Sequence, residues 1–211
     1  MNSNTQHLKK LAVLVSGSGT NLQAIIDAIK NKKLEKTEIA IVISNKKDAY
    51  ALKRANIAEV KNIFLNPKDS KNNLEFDKKL VEIINNCQVD LIVLAGYMKI
   101  LTEAFVNAFP NKIINIHPAL LPDFGGKGMY GKHVHEVVLK SSVKESGCTA
   151  HFVTCEVDAG PIIAQRKVSI LEGDTVDSLA NRVLIEEHKL LIEVIKKVLS
   201  SRDAVNRVST I

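Results

Sequence analysis

The stretch Leu11-Ala12-Val13-Leu14-Val15-Ser16-Gly17-Ser18-Gly19-Thr20-Asn21 decides the fold class. Its five leading apolar residues predict a strand buried on both faces. Residues 16–21 then turn sharply, and Leu22, Ile25, Ile26 and Ile29 recur at helical spacing as far as Lys30. Strand, glycine-rich turn and helix repeat as a rhythm down the chain. Strands are predicted over 38–44, 62–65, 90–95 and 113–117, with helices over 49–58, 74–87 and 103–108. Such alternation predicts an α/β fold with a doubly wound, mainly parallel sheet, Rossmann-like in its N-terminal half.

The rhythm breaks over residues 118–132, where two prolines and Gly125, Gly126, Gly128 and Gly131 predict a long loop. Long loops in compact domains are usually functional. A helix over 133–140 follows, then strands over 148–154 and 161–170, close enough for an antiparallel pair joined through 155–160. A long amphipathic helix over 175–199 covers the sheet, and 201–211 reads as a polar tail. The whole, 1–211, reads as one domain, with halves of about 10–110 and 111–200.

Composition narrows the function. The net charge of +6 comes from 29 basic and 23 acidic residues, and the lysines are scattered. Three Tyr, six Phe and no Trp leave no base-stacking surface, so nucleic acid is not an expected partner. Cys87, Cys148 and Cys155 are odd in number and lack CxxC spacing, which predicts a reduced, cytoplasmic chain. The run at 11–15 is too short for a signal sequence. No stretch reaches the ~20 apolar residues of a membrane span.

Ile113-Ile114-Asn115-Ile116-His117-Pro118 holds the expected chemistry. With period two, Asn115 and His117 share one face, and Pro118 ends the strand just after the imidazole. Ligands bind at that edge of parallel sheets. A carboxamide and an imidazole there can stabilise an oxyanion and move a proton. Two solvent-facing polar residues are the plain alternative.

Gly17-x-Gly19 between strand and helix suggests an anion cradle. Leu22 replaces the third small residue of a dinucleotide turn, and the second strand ends in Ser44-Asn45 rather than an acid. A phosphomonoester held by Gly19, Thr20 and Asn21 fits better, against the alternative of an empty tight turn. His133 and His135 lack a partner at helical spacing, so no metal is expected. His151 next to Phe152 reads as a structural histidine. Asp158, in Asp158-Ala159-Gly160-Pro161, is either turn chemistry or an acid that orients the imidazole and raises its pKa. Glu187 interrupts the apolar stripe of the last helix, where sugar hydroxyls or a structural Arg or Lys could partner it.

Taken together, Ser16–Ile25 (Ser-Gly-Ser-Gly-Thr-Asn-Leu-Gln-Ala-Ile), Leu94-Ala95-Gly96-Tyr97-Met98-Lys99-Ile100-Leu101, Asn115-Ile116-His117-Pro118-Ala119-Leu120-Leu121-Pro122, His151-Phe152-Val153-Thr154 and Asp158-Ala159-Gly160-Pro161 carry a resemblance. Over roughly residues 10–200 the chain resembles the phosphoribosylglycinamide formyltransferases, folate-dependent enzymes of purine synthesis. The resemblance implies formyl transfer from the co-substrate 10-formyltetrahydrofolate to the amine of glycinamide ribonucleotide, with no metal, in a monomer or homodimer. It implies that Asn115, His117 and Asp158 are catalytic. Gly19, Thr20 and Asn21 would hold the phosphate and Glu187 the ribose. Met98, Lys99, Ile100, Leu101, Asn115, Cys155, Glu156, Val157 and Asp158 would line the folate pocket.

The sequence departs from the family at several points. Lys99 and Ala119 stand where Arg and Ser are frequent, Asn73 stands where some members carry a folate-contacting Arg, and the 125–131 loop is longer than in several members. A methionyl-tRNA formyltransferase should add a tRNA-binding domain, and a formyltetrahydrofolate hydrolase an N-terminal regulatory domain. Neither is expected here. A non-catalytic sugar-phosphate-binding module would leave Asn115, His117 and Asp158 unexplained.

Overall fold

The computed structural model describes residues 7–208, with side chains over 7–201. Its elements run β1 (Lys9–Val15), α1 (Thr20–Lys30), β2 (Thr37–Ser44), α2 (Tyr50–Ile57), β3 (Asn62–Phe64), α3 (Asn73–Asn86), β4 (Leu91–Leu94), α4 (Glu103–Ala108), β5 (Ile113–His117), α5 (Gly131–Lys140), β6 (Glu145–Phe152), β7 (Ile162–Ser169) and α6 (Val176–Val208). A short 3-10 turn, Pro67–Asp69, interrupts the loop before α3.

The sheet has seven strands in the order β3-β2-β1-β4-β5-β6-β7. β3 to β5 are parallel, and β6 and β7 add antiparallel. The order reverses between β1 and β4, which opens a crevice at their C-terminal ends. β1 shows why the sheet is covered on both sides. Leu11, Val13 and Val15 enter one apolar cluster with α1, α5 and α6, whereas Ala12 and Leu14 enter the other with α3 and α4.

α6 lies along the sheet through buried Leu179, Val183, Leu190, Leu191, Val194 and Ile195. Where a polar tail is expected over 201–211, the helix instead runs on to Val208, and of that segment only 209–211 lie outside the described residues. No Gly or Pro stops it, and the hydroxyls of Ser200 and Ser201 bond back to the Lys196 and Lys197 carbonyls. β6 also starts earlier than predicted. Glu145-Ser146-Gly147 looks like a turn, but Gly147 lies so close to β7 that a Cβ there would meet the Arg166 carbonyl oxygen at 2.0 Å. Among the described residues no helix is long and apolar enough to cross a membrane.

The β6–β7 connection is pinched at its base. The Phe152 N–H donates to the Pro161 carbonyl (2.9 Å), and a Cβ on Gly160 would lie 1.8 Å from the Phe152 carbonyl oxygen. Gly160→Ala therefore must push the strands apart at a cost of about 1–3 kcal/mol. The melting temperature, read by calorimetry, is expected to fall by roughly 3–10 °C for a chain of this size. An unchanged melting temperature would show that the close approach is dispensable.

Candidate active site

A cavity of about 750 Å³ opens at the C-terminal ends of β1, β4 and β5. Its lining brings together Thr20, Asn21 and Glu187, then Asn115, His117 and Asp158, then Met98, Lys99, Ile100, Leu101, Cys155, Glu156 and Val157. Gly19 is not part of the lining. It is the left-handed residue (φ 72°) that starts α1, packed so tightly on α2 that a Cβ would touch the Ala51 Cβ at 2.6 Å. α1 has no side-chain cap, so the N–H groups of its first turn face the cavity end without one.

The centre of the site rests on the β5–β6 pairing, in which Asn115 stands opposite His151. His151 is buried, and its Nδ1 lies 2.9 Å from the Phe152 carbonyl oxygen. A carbonyl only accepts, so Nδ1 carries the proton and Nε2 presents a lone pair. That lone pair takes a hydrogen from Asn115 Nδ2 at 3.1 Å. The Asn115 amide is thereby turned so that its second N–H remains for a ligand.

His117 is fixed by the same reasoning. Its Nε2 donates to the Phe124 carbonyl at 2.7 Å, so in the neutral ring Nδ1 is the free base, 3.6 Å from Asp158 Oδ2. Asp158 reaches both imidazoles, with Oδ1 3.6 Å from His151 Nε2, and Oδ2 accepts from the Gly126 N–H at 3.1 Å. The acid thus ties the 155–160 turn, the glycine-rich loop and β5 into one assembly. Burial pushes its carboxyl up, but the His151 and His117 imidazoles and the Gly126 amide outweigh that and hold it below its ordinary range.

The expected rise of the His117 pKa does not prevail. Burial holds it below the ordinary value; the Asp158 charge and the Phe124 carbonyl push upward without winning, and His151 adds to the depression. His135 is a second buried imidazole on the same wall, lowered by burial and by His117, and its Nδ1 finds no partner. His133 instead faces solvent beside Glu136, so the His-x-His pair is split between outside and inside.

At one end of the cavity, Asn21 Nδ2 donates to Glu187 Oε2 at 2.8 Å, across 166 residues of chain. Both groups are buried, the Asn21 carbonyl oxygen is unpartnered, and burial pushes the Glu187 carboxyl up against the pull of Asn21. Neither the Arg nor the Lys considered for Glu187 is its hydrogen-bond partner. At the other end, Met98, Ile100 and Val157 expose apolar surface. Lys99 turns to Asn73 Oδ1 (2.5 Å) and sits 5.1 Å over the Phe76 ring. Lys71 contributes its backbone N–H to Glu75. One hydroxyl behind the cavity joins the segments after β2 and β4. Ser16 Oγ accepts from the Met98 N–H (2.8 Å) and donates to Asn45 Oδ1 (2.6 Å).

Sequence spacing missed His135, His151 and this use of Ser16. Spacing gave His151 no role; its signals were a place in one of the motifs that carry the resemblance and a strand that proves to pair with β5.

Such a fold with such a site is that of the formyl transferases: the sequence profile of the formyl transferase family matches residues 9–195, and the chain belongs to that family. Its branch is that of the phosphoribosylglycinamide formyltransferases. The Haemophilus influenzae enzyme of that name is 44% identical over 189 residues, 90% of this chain and 86% of that one. The Homo sapiens trifunctional purine biosynthetic protein adenosine-3 is 41% identical over 191 residues, and the chain spans 18% of that longer protein. The crystal structure of glycinamide ribonucleotide transformylase 1 from Symbiobacterium toebii superposes with a TM-score of 0.85 at 44% identity, covering 90% of this chain and 87% of that one.

His117 and His135 both titrate below their ordinary value. The unfolded chain therefore binds more protons as pH drops below about 6.5. The stability carried by the neutral rings is present above that pH and is lost as pH falls through their folded-state values. Asp158→Asn removes the main group opposing burial at His117, so the His117 pKa is expected to fall further. Imidazole NMR titration reads the shift, and a fixed or rising value would separate Asp158 from the histidine electrostatically.

Proposed function

We propose that this chain transfers the formyl group of 10-formyltetrahydrofolate to the amine of 5'-phosphoribosylglycinamide, with Asn115, His117 and Asp158 as its catalytic residues. The observation that carries the reading is one continuous cavity. A buried amide–carboxylate pair and a bare helix start lie at one end, apolar wall at the other, and the amide, imidazole and acid lie between. In this reading the backbone of Gly19 and Thr20 and the Asn21 side chain hold the phosphate, and Glu187 accepts from the ribose hydroxyls. Met98, Lys99, Ile100, Leu101, Cys155, Glu156 and Val157 flank the folate, and the exposed apolar side chains there suit a flat heterocycle. Three free cysteines accord with a cytoplasmic setting.

The amine nitrogen attacks the formyl carbon, forming the new C–N bond and placing negative charge on the formyl oxygen. The spare N–H of Asn115 meets that oxygen. His117 is neutral beforehand and free at Nδ1, so it is suited to accept the proton that the amine sheds. Asp158 stands 3.6 Å behind the resulting imidazolium. The proton then leaves for the folate nitrogen as the old C–N bond breaks, and the neutral ring is restored. Low dielectric strengthens each of these contacts. The imidazolium is a product of the attack, not the resting state.

With 5'-phosphoribosylglycinamide as acceptor, formylated ribonucleotide is expected as product. Asn115→Ala is expected to lower kcat by about 100- to 1000-fold, and His117→Ala by about 100- to 10000-fold, both with folding intact. A His117→Ala enzyme of near-native kcat would remove the imidazole from the mechanism. Formate release without formylated ribonucleotide would instead indicate a hydrolase.

A further inference from the structure

We infer that Arg54, on α2 behind the cavity wall, is a positioning residue that aims the backbone N–H groups of the Ser18–Gly19 turn at the substrate phosphate and supplies the charge the turn lacks. The inference rests on the proposed function and assigns a residue to its phosphate end.

α2 grips the turn by its carbonyls. The Ala51 N–H donates to the Gly17 carbonyl at 3.1 Å, and Arg54 Nε donates to the Ser18 carbonyl at 2.9 Å. A trans peptide points its N–H opposite to its C=O. With both carbonyls drawn toward α2, the N–H groups of Ser18 and Gly19 are turned away from it, on the side where Ser18 lines the cavity. Ala51 sets the first peptide through backbone alone. The second depends on a side chain, and that side chain is Arg54.

The guanidinium is itself held in place. Nη1 donates to Gln23 Oε1 at 3.1 Å, and Gln23 Nε2 in turn donates to Asp27 Oδ1 at 2.9 Å. The Tyr50 ring centre lies 4.9 Å from its central carbon. Among the described residues no salt bridge joins Arg54 to a carboxylate, and Asp27 is linked to it only through Gln23. That charge is felt in α6, where His188, next to Glu187, is held low by burial and by Arg54 against an upward pull from Asp27. Backbone amides are dipoles without net charge, whereas a phosphomonoester carries about −1.5 to −2. A fixed cation one peptide behind the amides supplies the missing complement.

The test uses the full chain carrying Arg54→Gln or Arg54→Lys. Arg54→Gln is expected to raise KM for 5'-phosphoribosylglycinamide about tenfold, with kcat and the KM for 10-formyltetrahydrofolate unchanged. Its acceptor KM should also depend less on ionic strength. Arg54→Lys keeps the charge but not the planar fork, so its acceptor KM should lie between the two. Independently of turnover, inorganic phosphate should raise the melting temperature of the wild type and raise that of Arg54→Gln less.

An unchanged acceptor KM and unchanged phosphate stabilisation in Arg54→Gln would overturn the inference. So would an equal rise in both KM values, which marks a merely structural role. Should Arg54→Gln not fold, Arg54→Lys decides: a rise confined to the acceptor KM upholds the inference, and no rise overturns it. A wild type that forms no formylated ribonucleotide would instead refute the proposed function, while the phosphate melting shift would still report on Arg54.

Discussion

Asn115 faces His151 across the antiparallel pair of β5 and β6, and the site depends on that register. The side-chain period of a strand is two, so a slip of one residue would send Asn115 and His117 into the apolar cluster and bring Ile114 and Ile116 out. The register is held where it matters least to solvent: Ile114, Ile116, Cys148 and Ala150 are buried in the same cluster. Apolar packing on one face thus sets the polar geometry on the other. From the Phe152 carbonyl the order passes to the His151 tautomer, then to the orientation of the Asn115 amide. Each step is an accepting or donating group with a single choice.

The change from parallel to antiparallel pairing at β5 is what makes the site composite. Parallel strands alone would bring their following loops to one rim. β6 runs the other way, so its far end lies beside the start of β5, and the turn beyond it folds back to carry Asp158 beside His117. The low pKa of the histidine follows from this crowding. Burial lowers it first and His151 adds to the depression, while Asp158 is the acid set against them. Burial wins in the resting chain. A proton arriving at Nδ1 then finds a carboxylate already in place, so the same surroundings that disfavour charge at rest can receive it transiently.

Much of the architecture was legible because apolar runs in α/β proteins are dense. The blocks at 11–15 and 91–94 admit no other reading, and the α6 stripe shows its period over many turns. The alternation in Ile113–His117 likewise puts Asn115 and His117 on one face. What was not legible is proximity between distant segments. Spacing leaves Asp158 open between turn chemistry and an acid beside the imidazole until the 155–160 connection is seen against β5. His151 reads as structural because its neighbours on its own strand are uninformative; its meaning lies across the ladder. The α6 extension was missed because serines and charged residues look like a tail unless the preceding helix supplies the nucleus. The Glu145–Gly147 start of β6 was hidden by a glycine that the adjoining strand requires.

Ser16, just past the end of β1, ties the segments that follow β2 and β4 through one oxygen, which receives the Met98 amide and holds Asn45. The wall at Met98 and the strand end that leads into the glycine turn are therefore not separable. An engineer who reshapes the wall at Met98 will also disturb the strand end from which the glycine turn springs. Divergence of this scaffold has to move both segments together, or first find another residue to take over that hydroxyl's double duty.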